Sequence, residues 1–103
     1  MTDHSPIVIT ASETLDTGFD LYLIDASGGN IVLTLPAGSH GLSFPFSRID
    51  NSGGNTVTIN SVGGDTINDG VTTSVTLAPQ TNSQIVYISA DTTWYTVYGV
   101  WLT

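Results

Sequence analysis

The sequence contains no cysteine and no lysine, and its single strongly basic residue is Arg48. Without thiols there is no disulfide framework, no cysteine-ligated zinc site and no thiol chemistry. Nine acidic residues against one arginine leave a formal net charge of −8. Such a surface repels phosphate backbones and anionic headgroups, which argues against nucleic-acid partners and electrostatic attachment to membranes. Only 10% of residues are charged, against about a quarter in ordinary soluble domains, so Thr, Ser, Asn and Gly carry the solvation. No apolar run has the length of a membrane span, and the first residues lack the basic start and apolar core of a signal peptide. A protein made in soluble form, without a signal peptide or membrane insertion, is the expectation.

Helical periodicity is missing as well, and no eleven-residue window shows it. What is present is one phrase written twice. Ile24-Asp25-Ala26-Ser27-Gly28-Gly29-Asn30-Ile31-Val32-Leu33-Thr34-Leu35 returns twenty-five positions later as Ile49-Asp50-Asn51-Ser52-Gly53-Gly54-Asn55-Thr56-Val57-Thr58-Ile59-Asn60, with seven of twelve positions identical. Paired glycines permit the positive φ of a tight reversal, and Asn tolerates the same region. With β-branched or alternating residues on either side, each copy reads as a turn between two antiparallel strands. Two short copies are too few for a solenoid.

Further strands are expected at Ile7–Thr10, Phe19–Asp25, Ile31–Leu35, Ser43–Asp50, Thr56–Asn60, Ser74–Leu77, Ser83–Ser89 and Trp94–Leu102. Pro45 places its strand at an edge or a bulge, and Asp69-Gly70 suits the tip of a type I′ hairpin. The fold class is therefore all-β: a small antiparallel sandwich or jelly-roll-like domain of about eight to nine short strands. It occupies residues 7–103 as one domain, behind a flexible polar segment, 1–6.

Three of these strands are apolar on both faces: Leu21–Ile24, Ile85–Ile88 and Trp94–Leu102. A domain with one interior leaves such second faces exposed, and a large apolar patch marks a partner surface. The economical partner is another copy, with Leu21, Leu23, Ile85, Tyr87, Tyr95 and Val97 as the expected oligomer interface.

Residues with chemistry are few. His4 and His40 lie in polar or glycine-flanked stretches with no carboxylate at triad or ligand spacing, and no nucleophile elbow or phosphate-binding loop occurs. Gly63-Gly64-Asp65-Thr66-Ile67-Asn68-Asp69-Gly70 has the look of one incomplete calcium nonapeptide, but that motif works in tandem. Asp25 and Asp50 hold equivalent places in the two phrases. A glycosidase pair is one reading; local capping of the turns is the preferred one. Arg48 is expected to neutralise one of them or to reach across an oligomer interface. Aromatic faces stack on sugars, and Trp101, Tyr98 and Trp94 form the candidate ligand-binding set. No catalytic residue, metal or cofactor is expected, and the chain is not read as an enzyme.

The order of phrases resembles modules of virus and phage appendage proteins, namely tail fibres, tail spikes and capsid-attached fibres. The resemblance runs from the strand ending in Asp25 through Ser-Gly-Gly-Asn and Val32-Leu33-Thr34-Leu35-Pro36. It continues in Phe46–Asp50, Asn55–Ile59, Asp65-Thr66-Ile67, Asp69-Gly70 and Val75-Thr76-Leu77, and closes with Ile85–Ser89 and Asp91-Thr92-Thr93-Trp94-Tyr95. It covers about residues 7 to 100. The chain departs from the family pattern at Ser47-Arg48, where Lys is common, and at Thr92 or Thr93, where Gly is. The resemblance implies a structural, homotrimeric module at the virion surface that takes part in host attachment, with a host-surface glycan as a partner. It carries over no functional residues. The alternative from another class is a monomeric carbohydrate-binding module of a secreted bacterial protein.

Overall fold

The computed structural model describes residues 6–15, 21–38, 42–52, 54–98 and 101–102, with the side chains of residues 98 and 102 excepted. His4, His40 and the segment before Pro6 lie outside them. Among the described residues the β-branched runs form eleven short strands: β1 (Ile7–Ile9), β2 (Glu13–Thr14), β3 (Tyr22–Ile24), β4 (Ile31–Thr34), β5 (Ser43–Arg48), β6 (Val57–Asn60), β7 (Thr66–Ile67), β8 (Ser74–Leu77), β9 (Asn82–Ile88), β10 (Thr93–Tyr98) and β11 (Trp101–Leu102). They make two sheets, ordered β1-β3-β5-β9-β10-β7 and β11-β8-β6-β4-β2.

The all-β expectation holds, but the sheets are mixed, not antiparallel. Up to β8 the chain changes sheet at every step. β3 lies parallel to both β1 and β5, and β4 parallel to both β2 and β6. Three successive turns of chain therefore stack as solenoid-like coils, each giving one strand to each sheet. β8, β9, β10 and β11 then close the stack in antiparallel fashion. The doubled phrase is thus a corner between sheets, not a hairpin, and its two copies lie on top of one another. Two copies sufficed for a solenoid-like arrangement because β8 and β9 cap it, so no long repeat array is needed.

Alternation places one face of each sheet in a shared core. Tyr22, Ile24, Phe44, Phe46, Ile85 and Trp94 come from one sheet and meet Ile31, Leu33, Val57, Ile59, Val75 and Leu77 from the other. Tyr22, Phe44 and Phe46 pack at centroid distances of 5.3 to 6.3 Å, and Trp94 lies 5.8 Å from Phe44. Aromatic packing of this kind adds about 0.5–1.5 kcal/mol per pair beyond area burial.

Three local expectations are corrected. Pro45 sits in an interior strand, between β3 and β9. Arg48 N–H donates to Thr81 and Tyr87 N–H to Leu42 on the β9 side, so Pro45 nitrogen points toward β3. Among the described residues, pairing with β3 begins at Phe46. The Asp69-Gly70 stretch is no two-residue hairpin, since β7 pairs parallel with β10 and β8 lies in the other sheet. There Asn68 and Gly70 have positive φ, and Ile67 N–H donates to Thr72 carbonyl at 2.7 Å. Finally, the expected last strand is two strands, with a register shift between Thr96 and Tyr98 and a change of sheet before Trp101.

The strands at the sheet edges are only two or three residues long, whereas β9 has seven. Short edges resist strand-to-strand aggregation.

Candidate functional site

The corner of the third coil departs from the sequence repeat by one residue, and that shift builds the most polar feature of the interior. Ile24 is in register with Arg48, not with its repeat counterpart Ile49, while Ile31 is in register with Val57. A one-residue slip exchanges the two faces of a strand. Ile49 accordingly stands 48% exposed, and the chain's single arginine takes the inward position at 2%.

A buried guanidinium requires partners for its donors. Arg48 Nε donates to Asp50 Oδ1 at 3.1 Å and Nη2 to Asp50 Oδ2 at 3.2 Å. Nη1 donates to the Leu77 carbonyl on β8 at 2.7 Å, and Nη2 to the carbonyls of Asn55 at 2.7 Å and Ser52 at 3.2 Å. Asp50 in turn accepts from Ala26 N–H at 2.9 Å and Ser52 N–H at 3.1 Å. One ion pair thereby ties together the second coil, the third coil and the capping strand. The expectation that Arg48 neutralises a carboxylate is met inside the chain.

The repeated asparagines complete the link. Asn55 Nδ2 donates back to the Ala26 carbonyl at 2.7 Å, and Asn30 Oδ1 accepts from Thr56 N–H of the next coil at 2.9 Å. Asp25 caps its own turn through Ser27 N–H, as Asp50 does through Ser52. The capping reading of the two aspartates stands. Asp50 is enclosed by these bonds and cannot flank a sugar opposite Asp25.

Burial raises the Asp50 pKa, but the Arg48 hydrogen bonds, the Ala26 and Ser52 N–H donors and the Arg48 charge outweigh it and hold it at about 2. A depressed carboxylate pKa contributes stability that is present above the unfolded value of 3.8 and is lost as pH falls toward about 2. The contribution is about 2 kcal/mol. The drop in melting temperature between pH 5 and pH 2 is therefore expected to be smaller in Asp50→Asn than in the parent chain. Equal drops would remove Asp50 from the account.

A second link joins the loop after β4 to the far sheet. Asp65 Oδ1 accepts from Tyr87 Oη at 2.9 Å and Oδ2 from Gly38 N–H at 2.9 Å. Burial, the Asp65 hydrogen bond and its charge raise the Tyr87 pKa. Asp69, the other carboxylate of the calcium-like stretch, accepts from Val71 N–H, Thr72 N–H and Thr72 Oγ1. The Thr72 hydroxyl and these backbone donors hold its pKa at about 2. Asp69 is thus turned to local bonding and Asp65 to the long-range link, and no group of three metal-ligating side chains occurs among the described residues.

Of the expected aromatic set, Trp94 points inward. Trp94 is fully buried and stacks edge-on against Tyr87 at 5.1 Å. The strand's inward parity put it there, and its Nε1 has no hydrogen-bond partner among the described residues. Trp101 is half-buried against the core, and its Nε1 donates to Ser83 Oγ across the two sheets at 2.8 Å. The Tyr98 side chain lies outside the described residues. The expected interface set divides by parity: Ile85 and Tyr87 are buried core residues, while Leu21, Leu23 and Tyr95 are half-buried and Val97 is 56% exposed. Sequence reading missed the inter-coil roles of Asn30, Asn55 and Gly38. The asparagines had a visible signal in their recurrence within the phrase; the glycine had none.

No protein-family model matches the sequence, and no curated protein matches it.

Proposed function

We propose that this chain is a structural module of a viral appendage, acting as a homotrimer at the virion surface and taking part in attachment to the host. The observation that supports this reading most directly is where the polar side chains point. Arg48, Asp50 and Asn55 bond the second coil, the third coil and β8 to one another, and Asp65 ties the loop after β4 to Tyr87 on β9. A stack cross-braced in this way is suited to bearing load and presenting a surface. The jelly-roll form of the expectation gives way here to a capped stack of coils, which serves the same role in a projecting fibre. The burial of Trp94 removes one of the three aromatic residues that the monomeric sugar-binding alternative would use.

Two measurements test the reading. Antibody raised against the chain is expected to decorate the projections of purified particles from its source; labelling of no particle structure overturns the viral assignment. Light scattering on the purified chain is expected to return three chain masses, and a glycan array reports whether the trimer itself contacts a host sugar. A monomer across micromolar concentrations removes the homotrimer.

A further inference from the structure

Asp69 is the only aspartate of the chain followed by glycine, and no asparagine is followed by one. An Asp-Gly bond is the place where a main-chain nitrogen most readily attacks the preceding side-chain carboxyl, because glycine brings no Cβ to obstruct the approach and bends freely. Both residues lie exposed in the loop between β7 and β8, and Val71 beside them is 80% exposed. Sequence and exposure therefore favour reaction at this bond. The hydrogen bonds around it oppose the reaction.

Asp69 Oδ1 accepts from Val71 N–H at 2.8 Å and from Thr72 N–H at 2.6 Å, and Oδ2 accepts from Thr72 Oγ1 at 2.6 Å. Both oxygens are thus turned to the two residues beyond Gly70, and three donors favour the anion. Cyclisation needs the reverse: a neutral carboxyl, whose hydroxyl can leave, turned toward the Gly70 nitrogen. With the pKa held at about 2, little neutral acid exists near pH 7. The loop itself is pinned as well. Asp69 N–H donates to the Ile67 carbonyl at 2.8 Å and Ile67 N–H to the Thr72 carbonyl at 2.7 Å.

We infer that the Asp69-Gly70 bond is a latent site of covalent modification, the conversion of aspartate to isoaspartate, and that the clamp of donors from Val71 and Thr72 holds it off in the folded chain. In the reaction the Gly70 nitrogen forms a bond to Asp69 Cγ and the Cγ–OH bond breaks. The hydroxyl leaves with the Gly70 amide proton as water. A second water then opens the succinimide ring at either carbonyl, giving back aspartate or placing the side-chain methylene in the main chain as isoaspartate. The second product reaches beyond the loop. Asn68 N–H donates to the Trp94 carbonyl at 2.7 Å, and Asn68 Oδ1 accepts from Thr96 N–H at 2.9 Å. This turn therefore fixes edge strand β7 to β10, where Ile67 and Trp94 are in register and fully buried. An extra main-chain atom at residue 69 breaks the Ile67–Thr72 closure and loosens that edge of the core. The inference does not depend on the viral reading or on the number of copies.

The test ages the full chain at neutral pH, native and unfolded in urea, and locates isoaspartate by peptide mapping with electron-transfer fragmentation. In urea it should form at residue 69 faster than at any other position. In the native parent it should form there at least about tenfold more slowly, since each pKa unit is a tenfold change in the neutral carboxyl. Native Thr72→Val, which lacks the hydroxyl donor, should age about tenfold faster than the native parent, the effect of one hydrogen bond to a charged group, with its rate in urea unchanged. Thr72→Ser keeps the hydroxyl and should age at the parental rate. A faster site elsewhere in urea overturns the site, and equal native and urea rates in the parent overturn the clamp. A native Thr72→Val no faster than the parent, or a Thr72→Ser as fast as Thr72→Val, also overturns the clamp. The comparison within the parent decides the matter even if Thr72→Val fails to fold.

Discussion

Arg48→Met is expected to destabilise the protein by about 3–5 kcal/mol, because removing one partner of a buried ion pair leaves the other charge uncompensated. Methionine matches the length of the side chain but supplies none of the donors that reach Asp50, Leu77, Ser52 and Asn55. Three carbonyls and a carboxylate then lie in or beside the core without their cation. At about 4–8 °C per kcal/mol for a domain of this size, the melting temperature should fall by about 15 °C or more at fixed protein concentration. The second half of the prediction separates charge from packing. Asp50→Asn introduced into the Arg48→Met background removes the stranded charge while keeping an oxygen for the Ala26 or Ser52 N–H. The double variant should therefore be more stable than Arg48→Met alone, with a coupling of about 1–3 kcal/mol. Simple addition of the two losses would show that the pair does not act as a unit. Arg48→Lys should fall well short of rescue, since an ammonium cannot present the forked donors that three separate chain segments use.

Gly38→Ala should cost about 3 kcal/mol, a large effect for one methyl group in a loop. A Cβ at this position would lie 2.1 to 2.4 Å from three atoms of the Tyr87 ring. The ring cannot withdraw freely. Its hydroxyl is bonded to Asp65, the same carboxylate that holds Gly38 N–H, and its edge packs on Trp94. Overpacking a site of this kind costs about 1–3 kcal/mol and occasionally more, and displacement of the ring breaks the Asp65 link as well. In a Tyr87→Leu background the added methyl should be tolerated far better, because the obstructing ring atoms are gone. Denaturant midpoints of the four variants in the cycle measure this directly. An alanine equally harmful in both backgrounds would place its cost in the loop backbone and not in the ring.

Much of the local structure was legible. Alternation in Thr56–Asn60 and Ser74–Leu77 marked β6 and β8, and the aspartates were read as turn caps. Strand partners were not legible, since a turn of Gly-Gly type is compatible with a hairpin or with a corner, and the choice depends on what lies on the adjacent layer. The parity of the apolar strands was ambiguous for a related reason. In Ile85-Val86-Tyr87-Ile88 every residue is apolar, so nothing within the strand tells which pair faces inward. Pairing with β5 and β10 decided it in favour of Ile85 and Tyr87.

By itself the sequence determined an all-β chain, turns at the Ser-Gly-Gly-Asn phrases, a surface nearly devoid of cations and more apolar strand surface than one interior receives. Those properties follow from composition and from period-two patterning, which act locally. Only the tertiary structure decided that the phrases stack in parallel coils, that a one-residue slip carries Arg48 inward and Ile49 outward, and that the surplus apolar faces gather on one sheet. Register between layers depends on contacts between residues about 24 to 26 positions apart, and no local pattern specifies it.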